Sequence, residues 1–483
     1  MKRGPGPALW LYGLSAAIAA ALLVSAQTTA FTWDEGFHLL AAQLITTGRE
    51  PYLDFCFPQT PLTVYWNAAW MLLFGDTWRT AHALSALLTA TAVLLAADYV
   101  LRRIPAPRWA LAGAAAAALF FGLNDAVFEF GTLGQAYGMC LIGTVAAFRC
   151  AVAAVDRKPW AAAAGAGFFT GVAMASSLLT AAAPPVLLLW MVLRNRAGSR
   201  WAKAAAFAAG AAIPFAPVFR LLLKGPRQTL FNVIQYQLHY RVANWPDATQ
   251  HDWEIFTSWV NSGPALLLGI LALAGLYWAR TGKEWNDGRR SELYLCGWLA
   301  AALGFEAATA HPTFARYFLL TVPFLAILAG VGFCGLATRL APAVRPLWPG
   351  LALGALLCLG WGRGIYDRRD VYTWADLVKV AQKVREATPP GAALWAEEPI
   401  YFLLRRTPPP GMEFAYSHTV EGLTPQQERE LHIITRAEIK RQVEAGAYHT
   451  VETCDPDTEF MASLGLEKLY RHKVELVGCA VYW

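Results

Sequence analysis

Charged residues are scarce in this chain: Asp, Glu, Lys and Arg make up only 15% of its 483 residues, against about 25% in an average soluble protein. Hydrophobic residues make up 56%, and the mean hydropathy is +0.35. No internal repeat or low-complexity tract is visible, which argues against a repeat array. Cysteine and histidine do not occur at the spacing of a zinc site. This composition is typical of a polytopic membrane protein.

The chain carries a net charge of +6, but this excess of bases is not evidence for nucleic-acid binding. Acids and bases are dense after about Gly364 and sparse before it. In a membrane protein, bases in the loops set the topology. The lipid bilayer is therefore the expected partner, and nucleic acid is not.

Apolar runs long enough, or nearly long enough, to cross a bilayer core of ~30 Å recur through the first three-quarters of the chain. They predict an α-helical membrane domain over residues 1–365 with about eleven transmembrane helices. The runs are 9–26, 80–101, 109–123, 133–148, 160–174, 178–193, 204–223, 264–278, 293–310, 314–336 and 347–361.

The distribution of bases between alternate loops predicts the orientation. If the N-terminus is cytoplasmic, the opposite loops hold few bases: Arg49, Arg79, Lys224, Arg227, Arg241 and Arg316. The cytoplasmic ends hold many more: Lys2, Arg3, Arg102, Arg103, Arg108, Arg149, Arg157, Lys158, Arg194, Arg196, Arg200, Lys203, Arg280, Lys283, Arg289, Arg290, Arg339 and Arg345. By the positive-inside rule the N-terminus is cytoplasmic, and an odd number of spans places the C-terminal region outside.

The first apolar run also resembles a signal peptide, with Val24-Ser25-Ala26 as a candidate cleavage site. An uncleaved helix is favoured, because it would anchor the acidic segment that follows. Most cysteines fall in or beside apolar runs and read as small core residues. Cys454 and Cys479 lie in the exported region, where the compartment permits them to form a disulfide.

The first outer loop, residues 28–78, places Asp34 and Glu35 where the bilayer meets water. Thr32 and Glu35 match a capping box at the start of a helix that ends at Gly48. A second helix is predicted to begin at Thr60-Pro61 and to end at Gly75, lying on the bilayer surface. Two acids at this level are costly to keep near lipid, which indicates chemistry on a membrane-borne substrate.

Two further segments outside the membrane have distinct patterns. Residues 224–263 form a long outer loop that is rich in aromatic residues, and loops of this length are usually functional or disordered. Residues 366–483 change to a soluble α/β pattern and predict a small exported domain. Its predicted elements are helices at 374–387 and after the Thr424 cap, and strands at 392–396, 450–454 and 474–482.

Five acids on the outer side are candidates for catalysis or substrate binding. Asp34 has no capping duty and is the candidate general base for a hydroxyl acceptor. Glu35 is explained mainly by the positive end of the helix dipole. Asp125 and Glu129 either lie in a solvated turn or supply a second catalytic acid. Glu306, inside a span, is either a substrate contact or the structural partner of Arg316 or His311.

Bases near the outer face form the complementary group. Each one alone is explained by snorkelling to lipid headgroups, but together they suit a phosphate or pyrophosphate, whose oxygens match the arginine fork. Tyr317 adds a hydroxyl donor beside them. The candidate phosphate-binding residues are Arg316, Tyr317, His311, Arg241, Lys224 and Arg220, and the candidate substrate contacts are Tyr65, Gln59, Glu306 and His239.

Two motifs carry a resemblance to a known family. The segment EPYLDFCFPQTPLTVYW (residues 50–66), after the Asp-Glu pair, and HPTFARYFLLTVP (residues 311–323) resemble the GT-C superfamily of membrane glycosyltransferases. The likeness is greatest to the branch with the protein O-mannosyltransferases and the lipid A aminoarabinose transferase. Where relatives often carry Lys-Pro-Pro this chain has Gln59-Thr60-Pro61, and Gln135 stands where many have an Asp.

The resemblance implies transfer of a sugar from a polyprenyl-phosphate carrier to a lipid, glycan or protein acceptor on the outer side, usually with inversion. Asp34 corresponds to the first-loop acid, and Arg316 and Tyr317 to the late motif that contacts the donor. The family implies the inner (plasma) membrane as location. No cofactor is required if the bases supply the charge, although a divalent metal ion is not excluded.

Two other functions remain open at this point. A lipid-linked sugar flippase or transporter would place polar groups near the membrane midplane, often in repeated halves, whereas this chain gathers its charges at one face. A non-catalytic subunit for envelope assembly would use the membrane part to present the C-terminal domain.

Overall fold

A computed structural model describes residues 6–28, 30–156, 160–243, 245, 247–340, 342–455 and 458–483. Four of the bases in the topology argument lie outside the described residues: Lys2, Arg3, Arg157 and Lys158. The chain divides into two compact units that alternate along the sequence. The first comprises Met1–Gln27, His82–Ala216 and Asp247–Arg369, and the second comprises Thr28–Ala81, Pro217–Pro246 and Asp370–Trp483.

These two units are defined by the contacts between their residues. They do not coincide with the single domain boundary near residue 366 that the sequence predicts. Residues 28–81 belong to the same unit as the C-terminal segment. The assignment of residues 1–365 to the membrane and of residues 366–483 to the exterior stays a prediction, because it concerns the bilayer.

The described residues of the first unit form helices joined by turns and loops, with no strand among them. Its helices are Gly6–Ala26, most of Trp78–Arg103, Ala110–Gly122, Asp125–Phe130, Tyr137–Asp156, Ala161–Ser176, Ala183–Arg194, Arg200–Ala212, Ala248–Asn261, Gly263–Thr281, Asp287–Thr309, Val322–Leu340 and Leu347–Asp367. Short 3-10 helices occur at Leu178–Thr180, Ile213–Phe215 and Ala315–Thr321. Each apolar run predicted from the sequence is mainly helical.

Six of the described helices are long and apolar enough to cross a membrane. They are Ala8–Ala26, Trp78–Arg103, Tyr137–Asp156, Arg200–Lys224, Gly263–Thr281 and Ala315–Leu340. Close approach between two of them depends on glycine: a Cβ atom at Gly275 or Gly332 would collide with the backbone of the other helix. Small residues allow such contacts between membrane helices, where the hydrophobic effect gives little attraction.

The second unit contains helices and one sheet. Its helices are Trp33–Thr46, Leu62–Phe74, most of Ala216–Lys224, Pro226–Leu230, the π-helix Phe231–Tyr240, Arg241–Ala243, Trp374–Ala387, Glu398–Leu404, Pro425–Leu431, Arg436–Glu444, Glu459–Ser463 and Leu466–Leu469, with a 3-10 helix at Ala415–Thr419. The strands are β1 (Leu394–Trp395), β2 (Thr450–Thr453), β3 (Lys473–Leu476) and β4 (Cys479–Tyr482).

The strand order is β1-β2-β4-β3, with β1 parallel to β2 and the other pairs antiparallel. The prediction of one strand at 474–482 is wrong, because Val477 and Gly478 both have positive φ angles, of 54° and 77°. Two such residues form the tight turn of a β-hairpin, which divides the segment into β3 and β4. A disulfide joins Cys454 to Cys479, as the sequence permitted.

The predicted helix at 374–387 and the cap at Thr424 are confirmed. Thr424 and Gln427 form a reciprocal capping box. Residues 224–263 are more ordered than the loop that the sequence suggested, since they are largely helical in the described part. Their helices include Phe231–Tyr240, which packs Phe231 and Tyr236 into the core of the second unit.

Glu452 on β2 gives the second unit a pH-dependent stability. Its side chain is 1% exposed, and burial raises its pKa to about 8, with Glu398 raising it further and the hydrogen bond from the Glu397 N–H lowering it. The folded state therefore keeps a proton that the unfolded state, with an ordinary pKa near 4.5, releases. This contribution to stability is complete below pH ~4.5 and is lost as the pH rises through about 8.

We expect the thermal midpoint of the detergent-solubilised protein to fall between about pH 4.5 and 8, and Glu452→Gln to flatten this fall. Glu475→Gln on β3 is the matched control, because that side chain is 67% exposed. Differential scanning fluorimetry across this pH range measures both. A wild-type slope in the Glu452→Gln variant would contradict the assignment.

Candidate active site

Asp34 lies in the first turn of the Trp33–Thr46 helix and is half-buried. The predicted capping box is wrong: the Thr32 side chain makes no capping hydrogen bond, and the Glu35 N–H donates to the Thr32 backbone oxygen at 2.9 Å instead. The neighbouring Phe31 ring packs edge-on against Trp374 with centroids 5.0 Å apart. Aromatic packing therefore accompanies this helix start in place of the side-chain cap.

Glu35 has a structural contact that the sequence did not indicate. It is completely buried, and its carboxylate accepts a hydrogen bond from the indole N–H of Trp374 at 2.7 Å. A buried indole N–H requires an acceptor. This role agrees with the structural interpretation of Glu35, although the partner is a tryptophan and not the helix terminus.

His38 follows Asp34 by one helical turn and connects it to Gln59. Its Nδ1 lies 2.6 Å from the Asp34 backbone oxygen, and its Nε2 lies 3.1 Å from Gln59 Oε1. A carbonyl oxygen only accepts, so Nδ1 carries a proton. Burial lowers the pKa of His38, against the opposing effect of Asp34. A lowered pKa keeps the ring neutral near pH 7, so Nε2 has no proton to donate to Gln59 Oε1. The contact becomes a hydrogen bond when the Gln59 amide is turned so that its nitrogen faces Nε2.

The loop that carries Gln59 is held by buried polar contacts within the second unit. The Tyr52 hydroxyl donates to the Gln59 backbone oxygen. Asn232 Oδ1 accepts the backbone N–H of Phe57 at 2.8 Å. Because Asn232 is fully buried, these bonds fix the position of the loop, and with it the amide that meets His38.

Arg241 is linked to the same loop through one intermediate. Its guanidinium donates to Gln237 Oε1 at 3.2 Å, and Gln237 Nε2 donates to the Pro58 backbone oxygen at 2.6 Å. His239, on the π-helix that carries Gln237, is exposed. The structure therefore brings Asp34 and Gln59 into one network through His38. Gln237 fixes the loop that carries Gln59 and also contacts Arg241.

Arg220 and Lys224 lie one turn apart and contact a single carboxylate. Glu50 accepts from the Arg220 guanidinium, and its two oxygens lie 2.9 and 2.8 Å from Lys224 Nζ. Tyr65 adds a hydroxyl that is buried and has no hydrogen-bond partner among the described residues. Burial raises the pKa of the Tyr65 hydroxyl, the charge of Arg220 lowers it, and the charge of Glu50 raises it.

In the first unit, Asp125 and Glu129 share Arg368 as a partner. The guanidinium lies 3.3 Å from Asp125 and 2.5 Å from Glu129. Burial raises the pKa of Glu129, and the charges of Arg368 and Arg316 oppose that shift. The two acids are therefore part of an ion-paired cluster and not a solvated turn. Their role as a second catalytic acid stays a prediction.

The late motif forms a packed corner in the same unit. Asp252 accepts from His311 Nδ1 and from the Thr313 N–H, both at 2.6 Å. The Arg316 guanidinium lies over the Phe314 ring, 4.4 Å from its centroid. Tyr317 is buried and packs edge-on against Phe314. Asp252 thus holds the turn that carries Arg316 and Tyr317.

Glu306 makes a structural contact. Its carboxylate accepts the backbone N–H of Ala182 at 2.8 Å, which lies just before the Ala183–Arg194 helix begins. The expected partners Arg316 and His311 are engaged elsewhere, as described above. An acid at a helix start opposes the positive end of the helix dipole, so this bond explains the presence of Glu306 in an apolar helix.

No family model matches the chain, and no curated protein does. Solved structures do match. The chain is similar to ArnT from Cupriavidus metallidurans bound to undecaprenyl phosphate, with a TM-score of 0.65, 15% identity and coverage of 99% of this chain and 98% of that one. The apo form of ArnT gives the same TM-score. These are GT-C proteins. The chain has the GT-C fold.

The oligosaccharyltransferase of Archaeoglobus fulgidus also shares the GT-C fold, at lower similarity. The structure of that protein, AglB, with an inhibitory peptide and a dolichol-phosphate matches with a TM-score of 0.52 and 13% identity, over 95% of this chain and 71% of that chain. The resemblance found in the sequence motifs is thereby confirmed at the level of the fold. The roles of individual residues stay predictions.

Sequence reasoning missed several residues that organise the two units. His38 had a local signal, because it follows Asp34 at the i,i+4 spacing of one helix face. Asp252 was noted only as part of an outer loop, and Arg368 fell in the segment assigned to the exported domain. No local sequence pattern pointed to Asn232 or Glu50, because each contacts a partner more than 160 residues away in the sequence.

Proposed function

We propose that this protein is a membrane glycosyltransferase that moves a hexosyl or pentosyl group from a polyprenyl-phosphate-linked donor to an acceptor hydroxyl, with inversion. The observation that carries this proposal is Asp34, half-buried at a helix start and connected through His38 to Gln59, in a chain with the GT-C fold. Similar structures were solved with undecaprenyl phosphate and with dolichol-phosphate, which supports a lipid-phosphate donor here.

In the proposed reaction the acceptor oxygen attacks the anomeric carbon of the donor. The new C–O bond forms as the bond from that carbon to the phosphate oxygen breaks, and the hydroxyl proton passes to the Asp34 carboxylate. Attack from the face opposite the phosphate inverts the anomeric configuration. The acceptor is a lipid, a glycan or a protein.

The leaving group is a polyprenyl phosphate, which gains negative charge as the bond breaks. Protein cations stabilise such charge without a metal ion, so the proposal requires no cofactor. Arg220, Lys224 and Arg241 are the proposed phosphate contacts of the second unit. Arg316 and Tyr317 are kept as proposed donor contacts because they correspond to the late family motif.

The proposal includes a topology. The proposed chain crosses the membrane about eleven times, with its N-terminus in the cytoplasm. Residues 366–483 and the sugar transfer then lie on the extracytoplasmic side of the inner (plasma) membrane. The excess of bases in alternate loops supports this orientation. The six described helices that are long and apolar enough to cross a membrane support a multi-pass membrane protein.

Mass spectrometry of envelope lipids and glycans tests the proposal in cells. Cells lacking the protein are compared with cells complemented by the wild type or by Asp34→Asn. We expect one sugar modification to disappear in the deletion strain, to return with the wild type and to stay absent with Asp34→Asn at equal protein level. Full restoration by Asp34→Asn would overturn the assignment of the base.

His38→Ala is expected to lower kcat about 10- to 100-fold with little change in KM for the donor. The imidazole positions the Asp34 backbone and does not itself transfer the proton, so the loss is smaller than for the base. His38→Asn, which retains a side-chain donor for the Asp34 carbonyl, should recover part of the activity. Steady-state kinetics on both variants measure this, and an unchanged kcat in His38→Ala would contradict the positioning role.

A further inference from the structure

The site formed by Arg220, Lys224 and Glu50 has the geometry of an occupied anion site. Glu50 presents two oxygens to two cations that lie four residues apart on one helix. A phosphate group offers the same pair of oxygens and binds the same cations. The carboxylate therefore occupies the positions that two phosphate oxygens would take.

Tyr65, in the same unit, supplies a second observation. Its hydroxyl is buried and makes no hydrogen bond in the described part of the chain. The charges of Arg220 and Glu50 act on its pKa in opposite directions. A buried hydroxyl without a partner is uncommon in native proteins. A third oxygen, which a phosphate has and a carboxylate lacks, would satisfy it.

Glu50 is held in place by its own backbone. Its N–H donates to Asp54 Oδ2 at 2.7 Å, and its carbonyl oxygen accepts from the Asp54 N–H at 2.9 Å. The ion pairs themselves are exposed, with Arg220 at 54% and Lys224 at 47% exposure. Exposed ion pairs contribute little to stability, so an incoming anion displaces the carboxylate at small cost while the loop stays fixed.

We propose that Arg220, Lys224 and the Tyr65 hydroxyl form a phosphate-binding site that Glu50 occupies until a phosphate group displaces it. The inference rests on the proposed function only in naming the ligand as the phosphate of a polyprenyl lipid. Glu50 thereby sets the affinity of the site, keeping it closed to weakly bound anions and permitting release of the product phosphate.

Binding of undecaprenyl phosphate to the full-length protein in nanodiscs tests this without any need for turnover. Native mass spectrometry titrations compare the wild type with Glu50→Gln, Glu50→Asp and Lys224→Met. We expect Glu50→Gln to bind three- to tenfold more tightly, Glu50→Asp to resemble the wild type, and Lys224→Met to bind at least fivefold more weakly. Combining Glu50→Gln with Lys224→Met should abolish the gain.

Glu430→Gln is the matched control, because it removes the same charge from the same unit and Glu430 also pairs with an arginine, Arg227, at 3.8 Å. An equal gain in that variant would show a general charge effect and overturn the proposal. An unchanged or weaker affinity in Glu50→Gln would overturn it too, leaving Glu50 as an ordinary ion-pair partner.

A parallel titration with inorganic phosphate identifies the source of the ligand. If Glu50→Gln binds undecaprenyl phosphate but not inorganic phosphate, the ligand is the lipid-linked donor or its product. If it binds inorganic phosphate equally well, the ligand of the same site is a soluble phosphate. Transfer activity is measured separately. If the protein binds phosphate as expected but transfers no sugar, the phosphate site is supported and the proposed function is wrong. If it transfers sugar but does not bind phosphate as expected, only the phosphate site is wrong.

Discussion

Asp34→Asn is expected to lower kcat for sugar transfer about 100- to 10,000-fold, the range that a general base contributes. Asparagine keeps the shape of the side chain but does not accept the proton of the acceptor hydroxyl. The backbone carbonyl that binds His38 is unchanged by the substitution, so the His38–Gln59 contact should persist. The KM for the donor should therefore change little, and a radiolabelled transfer assay with purified protein measures both constants.

Asp54→Asn is the control for this experiment. It removes the same charge from the same outer loop, and asparagine retains the oxygen that accepts the Glu50 N–H. We expect its kcat to stay within about twofold of the wild type. A well-folded Asp34→Asn protein with more than a tenth of the wild-type activity would show that another group takes the proton.

Trp374→Ala is expected to destabilise the folded protein by about 3–5 kcal/mol, as other large-to-small substitutions in cores do. Trp374 is completely buried. Its ring stacks with Trp78 at a centroid distance of 6.0 Å and packs edge-on against Phe31 and Phe402. The substitution leaves a cavity among these rings and also removes the N–H that Glu35 accepts.

Two further variants separate these effects. Trp374→Phe keeps most of the packing and loses only the hydrogen bond, so its thermal midpoint should fall between those of the wild type and Trp374→Ala. Trp253→Ala is the exposed control, since that side chain is 66% exposed, and its midpoint should stay near the wild type. Equal midpoints for Trp374→Ala and Trp253→Ala would contradict the role of Trp374 in the core.

The helices could be predicted from the sequence because apolar runs are a local property. The same reasoning failed where a distant contact decides the local structure. Thr32 and Glu35 have the spacing of a capping box, yet Glu35 turns to Trp374, more than 300 residues away. The segment 474–482 is a mainly apolar run that reads as one strand, but the positive φ angles at its centre turn it into a hairpin.

The candidate site shows the same division. Asp34 could be selected from its place at the membrane boundary, and His38 lies within reach of the same local reasoning. The network around Gln59 could not be predicted, because Asn232 and Gln237 lie on a π-helix. Their segment has the sequence pattern of an irregular loop. The ion pairs of Glu50 likewise join positions separated by 170 residues or more, and a single sequence does not record such a pairing.

The central claim is that the protein transfers sugar from a lipid phosphate with inversion. Its most direct test incubates the purified wild-type protein in nanodiscs with a polyprenyl-phosphate sugar and an acceptor, and follows the anomeric configuration by NMR. We predict release of polyprenyl phosphate and a glycoside of the opposite configuration. An intact donor that is only moved across the bilayer of a proteoliposome would contradict the claim and indicate a flippase.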